Sequence, residues 1–210
     1  MTRRLLDGFA RFRRGLFDAA PGRARALAQG QQPAFAVIAC SDARVDPALL
    51  FDAGPGELFV IRHVAALVPP HDDPAADALG AALEVAVETL GVGDLVVLGH
   101  ARCAGVAAWA GGRASGRLGQ WMAHADAARR TAGCGDEADP ACWERAVVML
   151  SVARLAAYPV VAHALAAGRL RVHGWRYDLV DGRIETLSHR AGTGTTAAGS
   201  QTCGPGPAPP

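Results

Sequence analysis

Three short apolar runs, each bounded by turn or polar residues and separated by helical stretches, constrain this chain more than any other feature. Ala34-Phe35-Ala36-Val37-Ile38-Ala39 stops at Cys40-Ser41-Asp42, and Glu57-Leu58-Phe59-Val60-Ile61 follows the turn Gly54-Pro55-Gly56. Asp94-Leu95-Val96-Val97-Leu98 closes on Gly99-His100. Runs this short, without polar alternation, fit strands covered on both faces. Residues 74–90, 103–111, 117–131 and 141–167 read as helical, the first stopped by Gly91, the last broken at Pro159 and stopped by Gly168. Residues 169–175 and 184–187 form a hairpin-like pair about Asp181-Gly182. The alternation predicts an α/β fold: a mainly parallel sheet of about four strands plus an edge strand, flanked by helices.

Residues 1–30 alternate Arg with Leu, Phe and Ala at helical spacing, broken at Pro21-Gly22. They read as an N-terminal helical arm whose apolar stripe is too rich to stand free in water. Residues 31–190 form the main domain. Residues 191–210 are Gly, Thr, Ala and Pro with little apolar bulk, and are expected to be disordered. The formal net charge is +1, so nothing calls for nucleic acid or an anionic membrane surface as partner. No segment reaches the roughly 18 apolar residues of a membrane span. The basic N-terminus lacks the apolar run of a signal peptide, and a cytoplasmic setting is expected. Of the five cysteines, Cys134, Cys142 and Cys203 are expected to be incidental.

Sites in parallel sheets form at the carboxyl ends of strands. Cys40 ends the first run and His100 the third, so both arrive on one edge. His100-x-x-Cys103 taken alone fits a strand-end histidine and a buried helical cysteine as well as it fits a metal pair. Cys40 at the matching strand end favours the metal. Two thiolates and one imidazole suit zinc and leave a fourth position open. In Cys40-Ser41-Asp42-Ala43-Arg44, Asp42 and Arg44 are spaced for a bidentate pair. In isolation such a loop pair contributes about 0–1 kcal/mol; beside a metal it would hold Asp42 ionised and aimed at a metal-bound water.

The segments Ile38-Ala39-Cys40-Ser41-Asp42-Ala43-Arg44-Val45, Gly54-Pro55-Gly56-Glu57-Leu58-Phe59-Val60-Ile61-Arg62 and Gly99-His100-Ala101-Arg102-Cys103 resemble the β-class carbonic anhydrases. The likeness runs from about Leu5 to Leu187 and follows the plant-like subgroup pattern. It implies zinc on Cys40, His100 and Cys103, with Asp42 and Arg44 as the assisting dyad. It implies reversible hydration of carbon dioxide to bicarbonate and a proton by zinc-bound hydroxide. It also implies a homodimer or dimer of dimers, with the N-terminal arm packing on the partner. Gln31 matches a glutamine that reaches the site across the dimer interface. Phe59 and Val64 match apolar pocket positions, and Ala104 a backbone N–H that binds substrate oxygen.

The departures are informative. The usual Arg-Asn-x-Ala-Asn reads Arg62-His63-Val64-Ala65-Ala66, the glycine after the second metal cysteine is Ala104, and the pocket tyrosine is Val85. Some members bind a regulatory bicarbonate through a tryptophan, an arginine and a tyrosine; the matching positions here are Val37, Arg62 and Val85. The resemblance therefore implies that Asp42 stays on Arg44. His63 is read as either a proton shuttle or a structural substitute for asparagine. Two further readings stay open on the same scaffold: hydrolysis of carbonyl sulfide or carbon disulfide, and a non-catalytic zinc-binding relative. A thiol redox protein is disfavoured, because no Cys-x-x-Cys exists.

Overall fold

The computed structural model describes residues 2–135, 139–192, 194–196 and 202–203. Its centre is a sheet built from β1 (Phe35–Cys40), β2 (Leu58–His63), β3 (Asp94–His100), β4 (Arg171–Asp178) and β5 (Arg183–Ala191). The order is β2-β1-β3-β4-β5, with the first four strands parallel and β5 antiparallel to β4. The predicted class and strand count therefore agree with the structure. Each parallel strand is reached by a helical crossover, so all four carboxyl ends share one edge.

Period-two alternation divides the core. Ala36, Ile38, Leu95, Val97 and Val172 face α4 (Asp77–Glu84), α8 (Pro140–Leu155) and α9 (Pro159–Ala166). Val37, Ala39, Val96 and Leu98 face the opposite way, toward Phe51, Leu58 and Trp175. A third cluster caps the carboxyl edge: Cys40, Val45, Leu67 and Cys103 with α5 (Ala104–Ala110), α6 (Gly116–Ala123) and α7 (Asp126–Thr131). The cap includes Trp109, Met122 and Trp143.

The seating of α8 matters most for the site. Pro140 occupies its first turn and Asp139 caps it, accepting from the Ala141 N–H at 3.1 Å. Glu144, Val148, Ser151, Val152 and Leu155, each three or four residues from another of the set, are buried along one stripe. The helix can lie close to the sheet because Gly99 and Gly174 are bare beneath it. A Cβ on Gly99 would collide with Val148, and one on Gly174 would sit 2.9 Å from Val152 Cγ2. That approach brings Glu144 to the carboxyl edge.

Several expectations are corrected. The predicted helix over 74–90 is a 3-10 turn, α4 and a π turn at Val85–Thr89. The helix over 117–131 is two, α6 and α7, and a short helix, α3 (Pro47–Leu50), was not anticipated. Pro21 opens α2 (Pro21–Gln29), while α1 (Arg3–Arg13) runs on as a π turn to Asp18. Within the expected disordered tail, β6 (Gly194–Thr196) and β7 (Thr202–Cys203) pair with β5; the rest of 197–210 lies outside the described residues. The outer edge of β5 supplies the template. Cys134 and Cys142 are not incidental: they form a disulfide closing the loop before α8.

At the amino end of β3, Asp94 accepts from Arg171 Nε and Nη2 at 2.7 and 2.6 Å and lies 2.7 Å from His173 Nε2. The Arg171 bonds hold its carboxyl below the usual range, against the opposing effect of burial. A carboxylate with a lowered folded-state pKa stabilises the fold above its unfolded value, about 3.9, and loses that contribution as pH falls through the folded value. The stability difference between wild type and Asp94→Asn, from urea unfolding across pH, should be flat above about pH 5 and shrink below about pH 4. A difference that stayed constant to pH 3 would show that the pair adds nothing.

Candidate metal centre

The side chains of Cys40, His100 and Cys103 meet at the carboxyl edge, all buried, with their donor atoms within 4.8 Å of one another. Cys40 ends β1, His100 ends β3, and Cys103 precedes α5. The two sulfurs are 4.0 Å apart. Two thiolates on one tetrahedral zinc, at bond lengths near 2.3 Å, would stand about 3.8 Å apart. His100 Nδ1 lies 2.9 Å from the Ala101 carbonyl, which can only accept, so that nitrogen carries the proton. Nε2 is then left with its lone pair, buried and, among the described residues, without a hydrogen-bond partner. An orphaned imidazole nitrogen facing two sulfurs is the donor set of a zinc site, and the residues fit that metal.

The backbone favours thiolate. The Ala65 N–H donates to Cys40 Sγ at 3.3 Å. The Cys103 thiol bond to Cys40 is the main cause lowering the Cys40 pKa, while burial opposes it. The same bond, with burial, raises Cys103. Burial pushes His100 down, but the nearness and charge of Cys40 Sγ outweigh this, and its pKa is raised.

Asp42 sits beside the triad, its Oδ2 3.9 Å from His100 Nε2. Arg44 grips the carboxylate with Nε at 2.9 Å and Nη2 at 2.6 Å, and its own N–H donates at 3.0 Å. These bonds hold Asp42 well below the usual carboxylate range. Arg44 Nη2 also donates to the Arg102 carbonyl at 3.1 Å. Arg62 staples the same loop: Nε to Cys40 O at 3.0 Å, Nη2 to Asp42 O at 2.7 Å, and Nη1 to Asp46 Oδ2 at 2.9 Å. Asp46 in turn caps α3. The arginine that matches a regulatory anion site is thus committed to three acceptors.

The loop following β2 is unusual. Ala65 and Ala66 have φ of 64° and 50°, left-handed conformations that cost a residue with a Cβ about 1–2 kcal/mol each. Asparagine tolerates that region better, which gives the usual asparagine at position 66 a backbone reason. His63 packs edge-on against Trp121 at 5.3 Å, and burial lowers its pKa; among the described residues neither ring nitrogen has a partner.

The remaining candidates are distributed unevenly. Val64 packs with the triad's cluster and touches the space that a Cβ on Gly105 would need, 2.6 Å from Val64 Cγ1. Phe59 packs instead with the cluster beneath α4 and α8. Ala104 is exposed at the start of α5, and Val85 is exposed on its π turn. Gln31 is exposed in a groove with Arg23, Leu27 and Glu57. It precedes β1 by four residues, whereas Cys40 ends that strand, so the strand's length, about 3.3 Å per residue, keeps Gln31 from this chain's own triad.

The sequence reading missed Glu144, which accepts from the Arg102 N–H at 2.6 Å and pairs with Arg176. A signal existed: a carboxylate in register with the apolar stripe of a long helix.

A mainly parallel α/β sheet with a Cys–His–Cys donor set at its carboxyl edge defines a candidate metalloenzyme, and comparison with known proteins narrows the class. The carbonic anhydrase family model matches residues 35–184. A carbonic anhydrase of Pseudomonas aeruginosa is 42% identical over 192 residues, covering 88% of this chain and 87% of that protein. One from Synechococcus elongatus is 32% identical over 208 residues, covering 92% and 74%. A solved structure from a study of two tetrameric β-carbonic anhydrases of Sordaria macrospora superposes with a TM-score of 0.81 at 28% identity, covering 93% and 98%. The chain belongs to the β-carbonic anhydrase family and is a carbonic anhydrase by class.

Lysine at position 62 could keep one of the three acceptors of Arg62 and would leave loop carbonyls unpaired. Arg62→Lys should lower the unfolding free energy of the metal-free protein by about 1–3 kcal/mol in urea titration. An unchanged midpoint would show that the staple contributes nothing.

Proposed function

We propose that this chain holds one zinc ion through Cys40 Sγ, His100 Nε2 and Cys103 Sγ and catalyses the reversible hydration of carbon dioxide to bicarbonate. The observation that carries the reading is the buried, partnerless His100 Nε2 beside two sulfurs 4.0 Å apart. Zinc there supplies Lewis acidity that brings water ionisation toward neutral pH, an effect familiar from carbonic anhydrases with three histidine ligands.

The chain's own groups do the rest. Asp42, kept ionised by Arg44, can only accept; it takes a hydrogen bond from water in front of the triad and so orients a lone pair toward carbon dioxide. Val64 supplies an apolar wall for a non-polar substrate. Ala104 is an exposed residue of the first turn of α5, where N–H groups have no partner within the helix, so its amide would receive a developing bicarbonate oxygen.

A second copy belongs to this reading. In α1 and its π turn, Leu5, Leu6, Phe9, Phe12 and Phe17 are all exposed, and α1 buries no residue. The sheet face carrying Val37 and Val96 opens on an apolar cavity of about 460 Å³ lined also by Phe35, Phe51 and Trp175. A dimer would cover these surfaces and bring Gln31 of one copy toward the other's site.

Stopped-flow measurement on zinc-loaded protein should show rapid carbon dioxide hydration and little turnover of carbonyl sulfide. Cys40→Ala, His100→Ala and Cys103→Ala should each fall well below one zinc per chain. Asp42→Ala should keep its zinc and lose about 100-fold or more in rate. Full zinc occupancy in the three ligand variants, or preferential carbonyl sulfide hydrolysis, would refute the reading.

A further inference from the structure

Arg102 lies between His100 and Cys103, the two candidate ligands that come from one loop. Its φ is 55°, a left-handed conformation that a residue with a Cβ keeps only when its surroundings hold it there. Both sides of the residue are held. The N–H donates to Glu144 Oε1 at 2.6 Å, and the carbonyl accepts from Arg44 Nη2 at 3.1 Å. Glu144 is 5% exposed and comes from α8, whose depth is set by Gly99 and Gly174. Its second oxygen is fixed by Arg176, with Nε and Nη2 each at 2.8 Å. Arg176 is itself oriented by Asp178 at 3.1 Å and Glu185 at 3.6 Å. The acceptor offered to Arg102 is thus a charged oxygen anchored from behind.

The turn that Glu144 fixes decides where His100 and Cys103 point relative to each other. If that turn relaxed, His100 would stay with β3 while Cys103 moved with α5. We propose that Glu144 is a positioning residue for the metal centre: by holding the Arg102 N–H it keeps His100 Nε2 and Cys103 Sγ converging on one point and so sets the affinity for zinc. This rests on the zinc reading above. The competing account is that Glu144 serves only as the buried partner of Arg176 and stabilises the fold.

The two accounts separate through Glu185, which meets Arg176 and Arg145 but not Arg102. Zinc dissociation constants from chelator competition, with the charge-transfer bands of cobalt-substituted protein as a second readout, should fall in a definite order. Glu144→Ala should bind zinc about 10-fold more weakly, the low end of the effect of losing a direct partner of a metal ligand, because Glu144 acts through the Arg102 amide between the two ligands. Glu144→Gln, which keeps an oxygen without the charge, should lose less. Glu185→Gln should stay within about twofold of wild type, since it lacks a shared partner with the loop. If Glu144→Ala gives no folded protein, Glu144→Gln against Glu185→Gln carries the same contrast. Equal losses in the two glutamine variants, or wild-type affinity and unshifted bands in folded Glu144→Ala, would overturn the proposal alone. A wild-type chain that binds no zinc would overturn the proposed function and this inference with it.

Discussion

The parallel pairing of β1 with β3 is the constraint on which the rest of the structure depends. Ala39 stands opposite Leu98, so the residues that follow, Cys40 and Gly99-His100, emerge together at one edge. Side chains alternate faces along a strand, so a one-residue slip would turn Cys40 away from the side where Cys103 waits and would exchange the apolar sets packed on the two faces. The register is held by burial on both faces, with Ala36 and Ile38 on one side and Val37 and Ala39 on the other. The same packing that stabilises the core therefore fixes the geometry of the triad.

Around that edge, polar groups are satisfied by a small number of arginines. Arg62 occupies the carbonyls of the loop carrying Cys40 and Asp42, Arg44 joins Asp42 to the carbonyl of Arg102, and Arg176 anchors Glu144. A buried pair such as Glu144–Arg176 is a weak source of net stability, because desolvation offsets most of its attraction. Its retention in the core is easier to understand if it orients a neighbour. Of the four left-handed non-glycine residues among those described, three, Ala65, Ala66 and Arg102, lie at this edge, so most of the backbone strain sits where the donors converge.

Much of this was legible in the sequence. The apolar runs of β1 and β3 lack any helical alternative of adequate length, and both end on candidate ligands, so the sheet class and the triad followed from local pattern. Asp42 and Arg44 were legible because their pairing needs only two residues of spacing. Glu144 was not, since its partner, the Arg102 amide, is 42 residues away and is met only once α8 settles onto Gly99 and Gly174. The Cys134–Cys142 bridge was missed because cysteine count alone carries no pairing information. The strands added after Ala191 were missed because composition speaks for disorder, whereas pairing is decided by the outer edge of β5.

The central claim is that two thiolates and one imidazole of this chain bind a single zinc. X-ray absorption at the zinc edge of the purified full-length protein, with metal content measured on the same sample, tests it most directly. The account predicts one zinc per chain with two sulfurs at about 2.3 Å and the remaining shell of nitrogen or oxygen at about 2.0–2.1 Å. A shell with no sulfur, a shell of four sulfurs, or protein that takes up no zinc would contradict it.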